Sequence, residues 1–165
     1  MKKIFYILII YLFKFNFAYS LIEVDITRGN LDPLPIAVSP LHVDVKSDDY
    51  QDIKVKSLGD LISSVVEKNF KSTGLFNPLN KDAFVQKPDI AHLKPRFEDW
   101  SLITAQALVT GKILVKDQKL KIEFRLWDIA ANKEMIALAF TTTPSNWRRV
   151  AHIISDKIYE RLTGE

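Results

Sequence analysis

The 165-residue sequence contains no cysteine. This absence excludes disulfide bonds, thiolate nucleophiles, cysteine-ligated zinc and the lipid-modified cysteine of a lipoprotein. Stability must therefore come from a hydrophobic core alone. With 47% apolar residues, a chain of this length can build one domain of ordinary size, and we expect no second one within it.

Glycine and histidine are also scarce, with five and three copies. The glycines are scattered singly, so they form no glycine-rich loop of the kind that cradles phosphate. His42, His92 and His152 are far apart in the sequence and match no zinc-binding motif. No Gly-x-Ser-x-Gly elbow or Ser-x-x-Lys motif occurs in a fitting context. We therefore predict no enzyme activity, no metal site and no cofactor.

The one long hydrophobic run is at the N-terminus. Residues 1–3 carry two lysines, an apolar stretch follows to Phe13, and Ala18 and Ser20 place small residues before a cleavage point. This pattern predicts a secretory signal peptide, residues 1–20, cleaved after Ser20. The alternative is an uncleaved membrane anchor, but Lys14 interrupts the run well short of the roughly 20 apolar residues that a span needs. We expect residues 21–165 to have no membrane span.

A surplus of positive charge is missing from the rest of the chain. The formal net charge of +3 comes from Lys2, Lys3 and Lys14, which leaves 20 basic and 20 acidic residues in residues 21–165. Binding to nucleic acid requires a basic surplus on the folded domain. The composition therefore argues against a nucleic-acid partner.

The first half of residues 21–165 predicts two strands, a helix and a turn. Residues 21–27 alternate apolar and polar side chains, and residues 34–40 hold a short proline-flanked apolar run, so both are predicted strands. Residues 44–56 are polar and predicted to be a loop. An i, i+3, i+4, i+7 apolar stripe predicts a helix over residues 58–73 that ends at Gly74. Residues 74–79 then predict a short strand or turn.

In the second half of residues 21–165, apolar residues recur at every second position. Residues 107–142 predict three antiparallel strands joined by polar turns, with one face solvated and one covered by helices. An apolar stripe after Pro144 predicts a final helix over residues 145–162. The predicted fold is therefore an α/β two-layer sandwich: a mixed, mostly antiparallel sheet of about five strands, packed by two main helices.

Several short sequences, in order along the chain, resemble the N-terminal domain of the TolB family, whose members belong to the Tol-Pal cell-envelope system. The matching sequences are Pro35-Ile-Ala-Val38, Gly74-Leu-Phe-Asn-Pro-Leu79, Phe97-Glu-Asp-Trp100, Ala107-Leu-Val-Thr-Gly111, Glu123-Phe-Arg-Leu-Trp-Asp128, Asn146-Trp-Arg-Arg149 and Ile158-Tyr-Glu-Arg-Leu-Thr-Gly-Glu165. The resemblance implies the same α/β fold and a periplasmic location. Family members continue into a six-bladed β-propeller that binds Pal, and we expect no Pal binding from these residues without it.

The resemblance also implies a partner-binding segment. In the family the N-terminal segment of the mature protein binds TolA, and by position the contact residues here are Leu21, Ile22, Glu23, Val24, Asp25, Ile26, Thr27, Arg28 and Gly29. An alternating edge strand can pair with another protein's sheet through main-chain hydrogen bonds. The alternative is a strand built permanently into this domain's own sheet.

Three functional hypotheses follow. The leading one is a non-enzymatic periplasmic adaptor that binds TolA and supports outer-membrane integrity and envelope constriction at cell division. The second is a truncated or split TolB remnant without independent function. The third is a small-ligand-binding module of the cell envelope, which would need an apolar pocket with converging polar groups.

Overall fold

The computed structural model describes residues 22–24, 32–45, 55 and 57–165. Within them, six strands form one mixed sheet: β1 Leu34–Val38, β2 His42–Val45, β3 Phe76–Pro78, β4 Ala107–Lys116, β5 Lys119–Asp128 and β6 Lys133–Thr142. The strand order is β3-β1-β4-β5-β6, and β2 pairs with β4 beyond the end of β1.

The sheet is mostly antiparallel by paired length. The β4–β5 and β5–β6 pairings are antiparallel and run along the whole of these ten-residue strands. The pairings of β1 with β3, β1 with β4 and β2 with β4 are parallel and involve three or four residues each. The predicted three-stranded meander is therefore confirmed, with short parallel strands added along the free edge of β4.

Residues 57–165 form two short 3-10 turns and four α-helices: α1 Leu58–Thr73, α2 Pro88–Ala91, α3 Phe97–Leu102 and α4 Trp147–Thr163. The long helices α1 and α4 are the two that the apolar stripes predict. Gly74 and Gly164 follow them with φ of 72° and 78°, the left-handed conformation that closes a helix at little cost for glycine.

The main core lies between one face of the sheet and the helices α1 and α4. Strand β5 shows why: alternate residues point to the helices and are fully buried, whereas the residues between them are largely polar. The buried β5 residues on this face are Leu120, Ile122, Phe124 and Leu126. The predicted two-layer α/β sandwich with two main helices is confirmed.

The other face of the sheet was predicted to be solvated, but it is partly covered. The segment from Leu79 to Ile103, including α2 and α3, covers part of it and forms a second buried cluster around Trp100 and Trp127. Trp127 Nε1 donates to Thr110 Oγ1 at 2.9 Å inside this cluster. The covering segment has no long apolar stripe, so only the tryptophans and Phe97 hinted at its packing role.

Strand β2 corrects another prediction. Residues 44 and 45 end a strand instead of starting a loop, and Val43 and Val45 pack against the main core. β2 also raises the strand number from about five to six. Between β1 and β2 the chain passes close to α1, where Leu41 N donates to Gly59 O at 3.3 Å. Only a residue without a Cβ fits at position 59, because a methyl group there would overlap the main-chain oxygen of Leu41.

Candidate functional site

The candidate site is the N-terminal segment Ile22–Val24, which lies against the domain where β5 and α4 end. Ile22 N donates to Asp128 Oδ2 at 3.0 Å, and Val24 N donates to Leu162 O at 2.7 Å. Asp128 is the last residue of β5. Leu162 lies in the last turn of α4, where helix carbonyls have no partner within the helix. Two main-chain donors of the segment are therefore engaged by two different elements.

Asp128 anchors this arrangement. Its side chain is 1% exposed, and Oδ1 accepts a hydrogen bond from Ala131 N at 2.9 Å in the turn that leads to β6. Each carboxylate oxygen thus has a main-chain donor, which compensates for the burial of a polar group. The Asp128 side chain therefore links the β5–β6 turn to the segment Ile22–Val24.

The side chains of the segment alternate as the sequence predicts. Ile22 and Val24 are half-buried and pack against the main core, whereas Glu23 points outward and is exposed. The described residues 22–24 nevertheless pair with no strand of the sheet. The expected strand over residues 21–27 is therefore wrong for these three positions, because their donors go to a carboxylate and a helix end instead of a neighbouring strand.

The remaining predicted contact residues lie outside the described part of the chain. They are Leu21, Asp25, Ile26, Thr27, Arg28 and Gly29. Conversely, sequence reasoning missed Asp128 and Leu162 as the residues that hold the segment. Asp128 did carry a weak signal, since a charged residue ending an otherwise apolar strand face needs partners.

Two of the three histidines come together, which their spacing in the sequence did not suggest. The rings of His42 and His92 stack with centroids 4.6 Å apart, and His92 Nδ1 lies 2.9 Å from Pro88 O. His152 Nδ1 lies 2.9 Å from Asn69 Nδ2, between α4 and α1. Among the described residues, no group of three or more His, Asp or Glu side chains can hold a metal ion.

In the part of the chain that the structure describes, two open grooves lie beside the sheet and α1. One, of about 870 Å³, runs beside β2 and includes Asp44, Asp60, Lys87 and Asp89 in its walls. The other, of about 440 Å³, lies beside α1 and is lined largely by polar side chains, including Glu67. Both have mixed charge, and neither has the enclosed apolar walls that a small-ligand pocket needs.

Among the carboxyl groups that the structure describes, Glu67 and Glu123 have shifted pKa values, in opposite directions. Burial raises the pKa of Glu67, and Lys81, whose Nζ lies 3.2 Å from Glu67 Oε1, partly offsets this. The hydrogen bond from Lys121 lowers the pKa of Glu123, with Lys112 contributing from β4. Each carboxylate is paired with lysine on the domain's surface, an arrangement typical of structural ion pairs.

Comparison with known proteins identifies the family. The TolB amino-terminal domain family matches residues 22–135. This chain belongs to the TolB amino-terminal domain family. The Tol-Pal system protein TolB of Pelagibacter ubique (strain HTCC1062) is 68% identical over 150 residues, which cover 90% of this chain and 34% of that protein. The chain thus spans about a third of the length of this relative.

Solved structures agree on the fold. TolB from Acinetobacter baumannii superposes with a TM-score of 0.63 at 20% identity, over 88% of this chain and 32% of that one. The hypothetical protein CT253 from Chlamydia trachomatis has a TM-score of 0.54 at 13% identity, over 78% of this chain and 98% of its own. At these identities the likeness concerns the fold alone.

The match to the TolB amino-terminal domain covers Ile22–Val24 and Asp128, so this part of the candidate site lies within the matched range. Helix α4, which supplies Leu162, follows the matched range. In the part of the chain that the structure describes, no helix has the length and apolar content to cross a membrane.

Proposed function

We propose that residues 21–165 form a non-enzymatic periplasmic adaptor domain of the Tol-Pal system that binds TolA through the N-terminal segment Leu21–Gly29. In this role the domain supports outer-membrane integrity and envelope constriction at cell division. The observation that carries the proposal is the 68% identity to a Tol-Pal system TolB protein across 90% of the chain.

The geometry of the segment supports a role in recognition. Ile22 and Val24 lie at the domain surface, and their amide groups make hydrogen bonds to side-chain and helix-end acceptors, outside any strand ladder. Groups held in this way can exchange one acceptor for another. A partner sheet that accepts hydrogen bonds from the same amides offers such a replacement.

This use of the segment has an energetic consequence. A partner that pairs with the main chain of Ile22 and Val24 competes with Asp128 and Leu162 O for the same donors. Partner binding therefore includes the cost of undocking residues 22–24. The apparent affinity for the partner decreases as the docked fraction of the segment increases.

An NMR titration of labelled residues 21–165 with the C-terminal domain of TolA tests the proposal. We expect shifts concentrated in the amides of residues 22–29, with smaller changes at Asp128 and Ala131 as the carboxylate loses a donor. A well-dispersed spectrum that does not change would refute TolA binding and favour the remnant hypothesis.

Deletion of residues 21–29 gives the second test. We expect TolA binding to be lost while α1, α4 and the sheet remain folded, because the fully buried residues of the main core all lie outside this segment. The matched control is Leu102→Ala, an exposed side chain of α3 that lies outside the candidate site. Unchanged affinity after the deletion would show that another surface binds TolA.

Pal is not a proposed partner of these residues. The family resemblance assigns Pal binding to the propeller, which residues 21–165 do not include. We expect no Pal binding by the isolated domain, measured by isothermal titration calorimetry, and saturable binding would contradict this assignment.

A further inference from the structure

Strand β6 is an open edge of the sheet. It pairs with β5 on one side, and it is the last strand in the sheet order of the described residues. Half of the main-chain N–H and C=O groups of its ten residues therefore point away from β5. A long edge of this kind is a template for pairing with another strand.

The sequence protects only the beginning of this edge. Lys133 and Glu134 are charged, and a register irregularity lies opposite them near Leu126 and Trp127, as at many protected edges. Residues 135–143 contain no charged residue and no proline. Leu138, in the middle of this uncharged run, is 37% exposed although it lies on the helix-covered face opposite Phe124.

The uncharged run is complementary to itself in the antiparallel direction. If Leu138 of one copy lies opposite Leu138 of another, Ile136 falls opposite Phe140, and Ala137 falls opposite Ala139. Apolar side chains then meet on the face covered by α1 and α4, and two methyl groups meet on the other face. Such apolar cross-strand pairs are the stabilising units of a sheet.

The opposite edge of the sheet limits how many copies can assemble. In the described residues that edge is formed by β3 and β2, which have three and four residues. Such short strands offer too few main-chain groups to continue the assembly. Pairing through β6 about a two-fold axis therefore closes at two copies and forms no open fibre.

We propose that β6 is a homodimer interface, at which two copies of this domain pair antiparallel about Leu138 and extend their sheets into one. The exposed surface of Leu138 becomes buried between Ile136 and Phe140 of the two copies. This interface is separate from the N-terminal segment and does not depend on TolA binding.

The absence of native cysteine allows a direct test by cross-linking. In purified residues 21–165 carrying Leu138→Cys, the two thiols lie opposite each other, with Cβ atoms about 4.5–5.5 Å apart, close to disulfide geometry. In the control Ala137→Cys, the two thiols are diagonal neighbours about 7–8 Å apart. We expect mild oxidation to give a covalent dimer of the first variant and far less of the second. Equal yields would overturn the proposed register.

Sedimentation equilibrium of the unmodified domain tests the dimer itself. We expect a concentration-dependent dimer whose dissociation constant rises by about tenfold or more in Leu138→Lys, because two lysines then face each other across the axis. The control is Leu61→Lys, a leucine of α1 with similar exposure, 41%. A domain that stays monomeric at every concentration, or a control that weakens the dimer equally, would overturn the proposal.

Discussion

Replacing Asp128 with alanine is the most informative perturbation of this domain. The carboxylate accepts from Ile22 N at 3.0 Å and from Ala131 N at 2.9 Å, so Asp128→Ala removes one contact that docks the N-terminal segment and one that shapes the β5–β6 turn. The first loss affects docking of residues 22–24. The second affects the stability of the whole domain.

The size of the docking effect follows from the hydrogen bond. A hydrogen bond to a charged acceptor is worth about 1.5–3 kcal/mol, and about 1.4 kcal/mol corresponds to a factor of ten in an equilibrium constant. Losing the Ile22 contact should therefore lower the docking constant by roughly ten- to a hundredfold. Where the docked form predominates, the affinity for TolA should rise by the same factor until undocking is complete.

Hydrogen exchange measures docking without any partner. The amide of Val24 is protected through its bond to Leu162 O only while the segment is docked. We expect its exchange in Asp128→Ala to accelerate by about tenfold or more, in line with the lowered docking constant. The matched control Asp156→Ala removes an exposed carboxylate of α4 and should leave this amide unchanged. Unaltered Val24 exchange in Asp128→Ala would refute the role of this carboxylate in docking.

Three further predictions concern the fold. Gly59→Ala should lower the unfolding free energy in urea by up to about 2 kcal/mol, because overlap with Leu41 O costs about 1–3 kcal/mol and the gain in helix propensity returns only roughly 1 kcal/mol. Trp127→Phe should cost about 1–3 kcal/mol, since Thr110 Oγ1 loses its buried donor, and adding Thr110→Val should recover part of the loss. The pKa of Glu67 is raised in the folded protein, so protonated Glu67 contributes stability that is complete below pH 4.5 and is lost as pH rises through the raised pKa. Glu67→Gln should abolish this decrease of the unfolding free energy with pH.

Urea unfolding of the same variants can contradict each of these predictions. A gain in stability for Gly59→Ala would mean that the connection between β1 and β2 does not approach α1 as closely as the structure shows. A double variant no more stable than Trp127→Phe would mean that cavity formation, and not the lost hydrogen bond, accounts for the cost. An unchanged pH profile in Glu67→Gln would show that another group titrates.

The architecture was predictable where the pattern is local. Helices α1 and α4 and the meander β4–β6 follow from apolar spacing over ten to seventeen consecutive residues, and the structure confirms them. Strand β2 was missed because four residues are too few to establish a period, and its assignment depends on pairing with β4. For Trp127 the sequence left open a helix cover or a docking surface, and it did not locate the cover because α2 and α3 are too short to show an apolar stripe.

The sequence by itself determined the fold class, the two main helices, the meander and the absence of any thiol chemistry, because composition and hydrophobic periodicity are properties of short stretches of chain. The tertiary structure alone decided where Ile22–Val24 docks, which face of the sheet has a second core, and which edge stays open. Ile22 and Asp128 are 106 positions apart. A contact over such a separation depends on how the sheet and α4 pack, and no local pattern records it.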